Sequence, residues 1–207
     1  MILQEAETYM TLLFKEKVSP EICFHNLQHT KTVIHAVKEI GSHSGLSNDQ
    51  MEIAILAGWF HDAGYGWKYI GHEEESNRVC AQFLIEVNYS PGRIEQVLSC
   101  IDATRIPQHP LNLTEEVLCD ADFYHLCQPE YPQNERLLRQ EWLQCLNRKY
   151  TDAEWNKMNY IFFKTHQYFT HYGKTILQKL KGKNMNELEL RSILLVFIYL
   201  LGSNYSY

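Results

Sequence analysis

Three short stretches of the chain carry the histidine and aspartate side chains that transition metals accept as ligands. They are His25 with His29, His61 with Asp62, and Asp120 with Asp122. His61 and Asp62 follow an apolar run, and neighbouring residues on an α-helix point about 100° apart. Both side chains can reach one ion only at a helix end, where the backbone departs from helical geometry. A His-Asp pair alone is weak evidence, so the prediction depends on ligands from other helices.

Two imidazole rings and two carboxylates would form a mixed nitrogen and oxygen site. Such a donor set suits Zn²⁺, Mn²⁺, Fe²⁺, Ni²⁺ or Co²⁺ better than Mg²⁺, which prefers oxygen ligands. Four protein ligands leave positions open for water and substrate. A cation held there would lower the pKa of its water toward neutrality and neutralise charge on phosphate oxygens.

The composition predicts a single folded domain that acts on small molecules. The chain has 207 residues, of which 45% are apolar, and a formal net charge of −6. That charge argues against a nucleic-acid polymer as a partner but not against a nucleotide, because a bound cation supplies local positive charge. The six cysteines form no CxxC pair and no secretory leader is recognisable, which predicts reduced core thiols and a cytoplasmic location.

The spacing of apolar residues predicts helices along the whole chain and no β-strand. The predicted helices cover 1–17, Asn26 to Gly45, Asn48 or Asp49 to Phe60, His72 to about Val87, Pro91 to about Thr104, Thr114 to the prolines at 129 and 132, about 133–149, and 152–180 with a bend at Gly173.

The last part of the chain is expected to be an apolar tail, residues 191–207, attached to a single all-helical domain, residues 1–190. Its nine consecutive apolar residues, 193–201, fall short of the ~20 needed to span a bilayer, so no membrane span is expected. Packing on the domain is the favoured interpretation, with a partner contact or an artefactual terminus as alternatives. The sequence leaves the oligomeric state open.

The order of the three stretches resembles the HD superfamily of metal-dependent phosphohydrolases, whose pattern is His…His-Asp…Asp on an all-helical domain. The resemblance covers Phe24 to Leu126, about half the chain. It implies an all-α HD-domain helical bundle with additional C-terminal helices. It also implies four metal ligands, namely His29, His61, Asp62 and Asp122. Asp120 is the alternative to Asp122, because the stretch reads Asp-Ala-Asp.

The resemblance implies hydrolysis of a nucleotide or another small phosphate ester by a metal-activated hydroxide, with Asp62 in the catalytic site. The segment Phe24 to His29 is also similar to the YHNxxH segment of cyclic-nucleotide phosphodiesterases in the same superfamily. There the first histidine protonates the leaving oxygen, which implies that His25 is a general acid; an ordinary pKa near 6.5 suits that role. Cleavage of cyclic nucleotides is therefore an alternative. His25 could instead be a hydrogen-bonded residue before a helix.

Two-metal members of the superfamily carry an extra histidine in the region of His72 and another about thirty residues later. This chain has Ile101 to Arg105 at the second place, so the two-metal pattern is incomplete. One tightly bound metal is expected, with Mg²⁺ as a candidate for a weaker second site. Candidates for second-metal or substrate contacts are His72, Glu73 and Asp120, while His109 is expected in an exposed loop.

Three cationic side chains are candidates for binding the phosphate: Lys68, Arg78 and Arg105. An arginine guanidinium matches phosphate oxygens well, although each of these residues could equally be a surface charge. Two other classes of function compete with hydrolysis. A non-catalytic metal- or nucleotide-binding regulatory domain would not need the full ligand set, and an iron-dependent oxygenase would need the second metal that the pattern lacks.

Overall fold

The computed structural model describes residues 2–203, with the side chains of residues 2–191. Within that range the chain forms nine α-helices and no β-strand, which confirms the predicted all-α class. The α-helices are α1 (Ile2–Lys17), α2 (Leu27–Ser44), α3 (Asn48–Phe60), α4 (His72–Glu86), α5 (Pro91–Ala103), α6 (Leu113–Asp122), α7 (Tyr131–Leu146), α8 (Asp152–Thr165) and α9 (Gln178–Ser203). Two 3₁₀ turns, Ala63–Gly66 and Phe123–Cys127, and one π-helical turn, Gly173–Leu177, join some of them.

The central element is α3, which is apolar on all sides after its polar first turn. Every residue from Ile53 to Phe60 is buried, and α3 contacts α1, α2, α5 and α6. A helix that is hydrophobic all round belongs in a core, where each buried large aliphatic side chain contributes about 1.5–3 kcal/mol. The neighbours of α3 therefore hold its C-terminal end, and the residues that follow it, in a fixed place.

The predicted start of α2 at Asn26 is confirmed. The Asn26 side chain accepts hydrogen bonds from the backbone N–H groups of Gln28 and His29 at 2.8 and 3.1 Å. The predicted start of α3 was wrong by one or two residues. Its cap is Ser47, which forms a reciprocal capping box with Gln50. This pairing satisfies free N–H groups at the helix start that a cap at Asn48 or Asp49 would leave open.

Two boundaries in the second half of the chain differ from the prediction. A single helix over 152–180 was wrong, because α8 ends at Thr165 and the backbone is extended at His166. Pro132 does not close the preceding helix; it lies in the first turn of α7. A proline is tolerated there because the N–H that it lacks has no partner within the helix in any case.

All six cysteines are free thiols. Four of them are buried and confirm the expected core role: Cys80, Cys100, Cys119 and Cys127. The cytoplasmic location inferred from the thiols stays a prediction. The apolar run 193–201 continues the backbone of α9, and the way its side chains pack lies outside the described residues. None of the helices in the described part of the chain is long and apolar enough to cross a membrane.

Candidate metal centre

The end of α3 directs His61 and Asp62 toward one point. His61 follows the last helical residue, and Asp62 departs from helical geometry with φ −104° and ψ 7°. As a result, His61 Nε2 lies 3.1 Å from Asp62 Oδ2, although successive helical side chains would diverge. This local break in the helix is what allows adjacent residues to share one ion.

The turn after Asp62 is held by α4. The buried Ser76 hydroxyl donates to the His61 carbonyl oxygen at 2.6 Å and accepts from the Gly64 N–H at 2.8 Å. Gly64 approaches α4 so closely that a Cβ atom there would collide with the His72 carbonyl oxygen. Glycine at this position therefore allows the turn to pack against the start of α4, which also places His72 beside Asp62.

Two further side chains complete the cluster from other helices. His29 comes from the first turn of α2, and Asp122 is the last residue of α6. His29 Nε2 lies 3.4 Å from Asp62 Oδ2 and 3.4 Å from Asp122 Oδ1. Asp122 Oδ1 lies 3.6 Å from His61 Nε2. Two nitrogens and two oxygens from three helices thus meet within the protein.

The donor atoms fit a divalent cation. His29 Nε2, His61 Nε2 and Asp62 Oδ2 are buried, and among the described residues none of them has a hydrogen-bond partner, even though they lie within ion-pair distance. His61 Nδ1 donates to the Gly58 carbonyl oxygen at 2.8 Å, so its Nε2 lone pair is available. Ligands about 2.1 Å from one ion lie roughly 3.0–3.4 Å apart. The four separations given above run from 3.1 to 3.6 Å, and ligand atoms of His29, His61 and Asp122 all lie within 4.8 Å of one another.

The charges in the cluster favour ionised carboxylates. Burial opposes the charge on Asp62, but His61 and His72 beside it hold the pKa of Asp62 well below its usual range. His29 and His61 lower the pKa of Asp122 in the same way against the effect of burial. Burial disfavours a charged His61, yet the two carboxylates raise the pKa of His61 well above its usual value. A bound cation would take over the role of that proton.

His25 is held by a carboxylate that the sequence analysis missed. Glu141 of α7 is fully buried, and its Oε1 lies 2.5 Å from His25 Nδ1. The same carboxylate accepts the backbone N–H groups of Phe24 and His25 at 2.7 and 3.0 Å, and the Tyr69 hydroxyl at 2.7 Å. Three of these bonds fix the Glu141 carboxylate, and the fourth holds the His25 ring by Nδ1. The Nε2 atom is the remaining nitrogen of the ring. The sequence feature that could have identified Glu141 was the position of an acidic residue next to the apolar stripe of α7.

A cavity of about 840 Å³ opens beside the cluster. Six of the residues singled out in the sequence line it: His25, Asp62, His72, Glu73, Arg105 and Asp122. His29 and His61 lie behind this wall, buried at 8% and 1% exposure. The metal cluster thus forms one end of a space large enough for a small-molecule substrate.

Two aromatic residues of this wall were also missed. The Tyr65 ring stacks between His25 and His72, with centroid distances of 4.6 and 3.9 Å. His125 lies three residues after Asp122, in the 3₁₀ turn. The centre of its ring is 6.3 Å from the centre of the His29 ring. Burial and the neighbouring His29 lower the pKa of His125 to about 4, so it is neutral near pH 7. The three-residue spacing from Asp122 was a usable signal for His125.

Asp120, a candidate for second-metal or substrate contacts, is not among the residues that line the cavity. Its carboxylate accepts the N–H groups of Phe169 and Thr170 at 2.7 and 3.0 Å, and the Thr170 hydroxyl at 2.7 Å. Burial raises the pKa of Asp120 to about 6 in spite of these bonds. Residues two apart on a helix point in nearly opposite directions. Asp120 therefore holds the segment after α8 rather than the site.

Lys68 and Arg78, which the sequence analysis named as candidates for binding phosphate, do not line the cavity. Lys68 Nζ pairs with Glu74 at 2.6 Å, and Arg78 Nε pairs with Glu75 at 2.7 Å. Arg105 does line the cavity, with its guanidinium 3.6 Å from Glu73 and 2.9 Å from Asp102, three residues earlier in the chain. Lys68 and Arg78 are thus each paired with a nearby glutamate of α4.

His72 contacts the other oxygen of Asp62. Its Nε2 lies 3.4 Å from Asp62 Oδ1, while Asp62 Oδ2 faces His29 and His61. Glu73 lies 3.8 Å from His72 Nδ1. His109 is exposed in the loop after α5, as expected. Both oxygens of Asp62 are thus directed at histidines, and the Arg105 guanidinium lies beside the carboxylates of Glu73 and Asp102.

Two solved structures share this fold over most of their length. A predicted HD superfamily hydrolase from an uncultured Thermotogales bacterium superposes with a TM-score of 0.57 at 16% identity, covering 98% of this chain and 92% of that one. The Lin1889 protein of Listeria innocua superposes with a TM-score of 0.61 at 20% identity, covering 91% of this chain and 93% of that one. The sequence matches no family model and no curated protein. The all-α helical fold expected from the sequence is confirmed, and these two structures share it.

Proposed function

We propose that this protein is a metal-dependent hydrolase of small phosphate esters. The observation that supports it best is the meeting of four ligand atoms from three helices at one end of a deep cavity. The proposed ligands are His29, His61, Asp62 and Asp122. The fold shared with a predicted HD superfamily hydrolase supports the same reaction class.

A divalent cation bound there would lower the pKa of a coordinated water and neutralise charge on the phosphoryl oxygens. The protein's own residues supply the remaining parts. Arg105 at the cavity wall would bind phosphate oxygens through its guanidinium. Asp62 would orient His61 through its Oδ2 atom and His72 through its Oδ1 atom.

His25 is the proposed proton donor to the leaving oxygen. With Nδ1 bound to Glu141, His25 has Nε2 available for a substrate. Burial would lower the pKa of His25, but the hydrogen bond and charge of Glu141 outweigh it and raise that pKa above its usual value. A raised pKa favours the protonated ring, which is the form that can donate a proton to a leaving alkoxide.

A cyclic-nucleotide phosphodiesterase is the second candidate. It is favoured by the same His25, which lies four residues before His29 as in the phosphodiesterase segment, and which is held by Glu141 beside the cavity. A regulatory domain that binds metal without catalysis would have no use for such a held proton donor.

The test is a metal and substrate panel on the purified protein. After removal of metal, the protein is reloaded with Mn²⁺, Zn²⁺, Fe²⁺, Ni²⁺, Co²⁺ or Mg²⁺ and assayed on phosphomonoesters, nucleotides and cyclic nucleotides. Hydrolysis that depends on metal and is lost in Asp62→Ala supports the proposal; His109→Ala, in an exposed loop, is the matched control. Stoichiometric metal binding without hydrolysis of any ester would favour the regulatory alternative.

A further inference from the structure

The cavity beside the metal cluster extends between α7 and α8. We call this part the apolar arm and define it by six lining residues: Leu138, Trp142, Leu146, Trp155, Met158 and Phe162. All six side chains are apolar or aromatic, and none of them contributes to the metal cluster. A cavity of about 840 Å³ is far larger than a phosphate group needs. The arm therefore offers its space to the remainder of a substrate.

Three polar side chains beside the arm are bound to other groups of the protein. The Tyr131 hydroxyl donates to Asn159 at 3.0 Å, and the Asn159 amide donates to the Trp155 carbonyl oxygen at 2.8 Å. Glu135 accepts from Arg191 at 2.8 Å. A site that selects a nucleobase or sugar needs polar groups directed at the ligand. Asn134 and Arg148 also line the cavity, and the Arg148 guanidinium lies 5.5 Å from the centre of the Trp142 ring. Because apolar and aromatic side chains form most of this lining, the arm recognises mainly shape and apolar surface.

The mouth of the cavity is apolar as well. Ile70 and Ile106 both line it, and they are 70% and 68% exposed. Exposed isoleucines beside an apolar cavity form a surface that a ligand with an apolar part would cover on binding. Arg105 stands next to Ile106 and provides the charge for the phosphate end. The cavity is thus charged at the metal centre and apolar along α7 and α8.

From this polarity we infer that the substrate is a phosphate ester of a bulky, apolar alcohol. The metal centre and Arg105 hold its phosphate, and the apolar arm holds its hydrocarbon part. This inference rests on the proposed function for the reaction at the phosphate, and it adds the chemical class of the alcohol. It separates this protein from hydrolases that read a nucleobase.

The test measures binding apart from catalysis. Alkylphosphonates have a carbon–phosphorus bond in place of the ester bond, so they bind without being hydrolysed. Calorimetry with ethyl-, butyl-, hexyl- and octylphosphonate on the metal-loaded full chain should show affinity rising with length, by up to about fourfold for each added methylene. Adenosine 5′-phosphonate should bind more weakly than octylphosphonate. Affinity that does not change with chain length, or tighter binding of the nucleoside compound, would overturn the inference.

A pair of variants locates the binding to the arm. Met158→Glu places a charge in the arm and should abolish the rise of phosphonate affinity with chain length. Ile161→Glu is the matched control, because Ile161 is on the same helix, 50% exposed and outside the cavity lining. If Met158→Glu does not fold, Leu146→Ser at the end of α7 makes the same test. Full length dependence in a folded arm variant would contradict the assignment.

The two proposals fail in different ways. If p-nitrophenyl phosphate is hydrolysed but phosphonate affinity does not change with length, hydrolysis stands and the apolar substrate class is wrong. If phosphonate affinity rises with length and this rise is lost in the arm variant, the ligand class stands. If no ester is hydrolysed in that situation, the proposed hydrolysis is wrong.

Discussion

Two aspartates, two positions apart on α6, have opposite tasks. Asp122 ends the helix and faces His29 and His61, whereas Asp120 faces the chain that follows α8. A carboxylate among imidazole nitrogens can bind a cation. A carboxylate that accepts two N–H groups and a hydroxyl has no free position for one. Helix geometry alone separates the two roles.

The first prediction uses this pair. Asp122→Asn should weaken metal binding by more than the 10–100-fold typical of losing a residue that only supports a ligand. Asp120→Asn should change metal affinity by less than about tenfold. It should instead lower the free energy of unfolding by about 1–3 kcal/mol, because an amide N–H would face the N–H donors of Phe169 and Thr170. Chelator competition measures the metal affinity, and urea unfolding measures the free energy of unfolding. A larger loss of metal affinity in Asp120→Asn than in Asp122→Asn would make Asp120 the ligand.

The second prediction concerns His25. A general acid typically contributes 10²–10⁴-fold in rate, and its benefit grows as the leaving group becomes poorer. His25→Ala should therefore slow the hydrolysis of alkyl phosphates strongly and of p-nitrophenyl phosphate very little, with unchanged metal content. Glu141→Gln should show the same substrate dependence to a smaller extent, because it loosens the ring without removing it. Loss of metal in His25→Ala would identify His25 as a ligand instead.

Among the elements, the turn between α3 and α4 determines whether the cluster can form. Its backbone is bound by Ser76, and Gly64 lies against the first turn of α4. A side chain at position 64 must push the turn and α4 apart. Since His61 and Asp62 lie just before this turn and His72 begins α4, any such shift changes the spacing of the donor atoms.

The third prediction follows from this contact. Gly64→Ala should lower the free energy of unfolding by about 1–3 kcal/mol, as overpacking typically does, and should weaken metal binding as well. Gly92→Ala is the control, because nothing lies within 4 Å of a Cβ atom at Gly92 in the first turn of α5. That change should leave metal affinity unaltered. Equal metal affinity in wild type and Gly64→Ala would show that the turn does not position the ligands.

The fourth prediction concerns the junction of α8 and α9. Lys181 Nζ donates to His166 Nδ1 at 3.2 Å and to the His166 carbonyl oxygen at 2.6 Å. Burial, and then the charge of Lys181, lower the pKa of His166 to about 3. Between pH 6.5 and about 3, His166 binds a proton in the unfolded chain but not in the folded chain. The contribution of the neutral His166 to the free energy of unfolding is therefore complete above pH 6.5 and is lost as the pH falls.

Wild type should therefore lose more stability than His166→Gln on acidification below pH 6.5, by at most about 1.4 kcal/mol for each pH unit. Urea unfolding at a series of pH values measures the difference. His109→Gln, at an exposed loop residue, should follow wild type. Parallel pH profiles for wild type and His166→Gln would show that His166 takes up its proton in the folded protein as easily as in the unfolded one.

For the whole molecule, the sequence was informative where contacts are local. Asn26 starts α2 through bonds to residues two and three positions away, and the His-Asp pair at a helix end could be recognised from the apolar run before it. Lys68 and Arg78 looked available because their neutralisation by Glu74 and Glu75 depends on side-chain geometry that spacing alone does not specify.

The features that sequence reasoning missed come from distant parts of the chain. Glu141 meets His25 across 116 positions, and the break after α8 is held by Asp120 across 49 and 50 positions. Neither partner carries a motif, and the spacing within each segment is that of an ordinary helix. Such pairs are visible only once the packing of α7 and α8 against the first six helices is known.

The most direct test of the account is the metal content of the protein. Wild type, His61→Ala and His109→Ala should be purified in parallel, dialysed with the same transition metal and analysed by elemental mass spectrometry, with circular dichroism to verify the fold. We expect one tightly bound ion per chain in wild type and in His109→Ala, and a loss of at least a hundredfold in affinity in a folded His61→Ala. Equal metal content and affinity in all three proteins would contradict the metal centre.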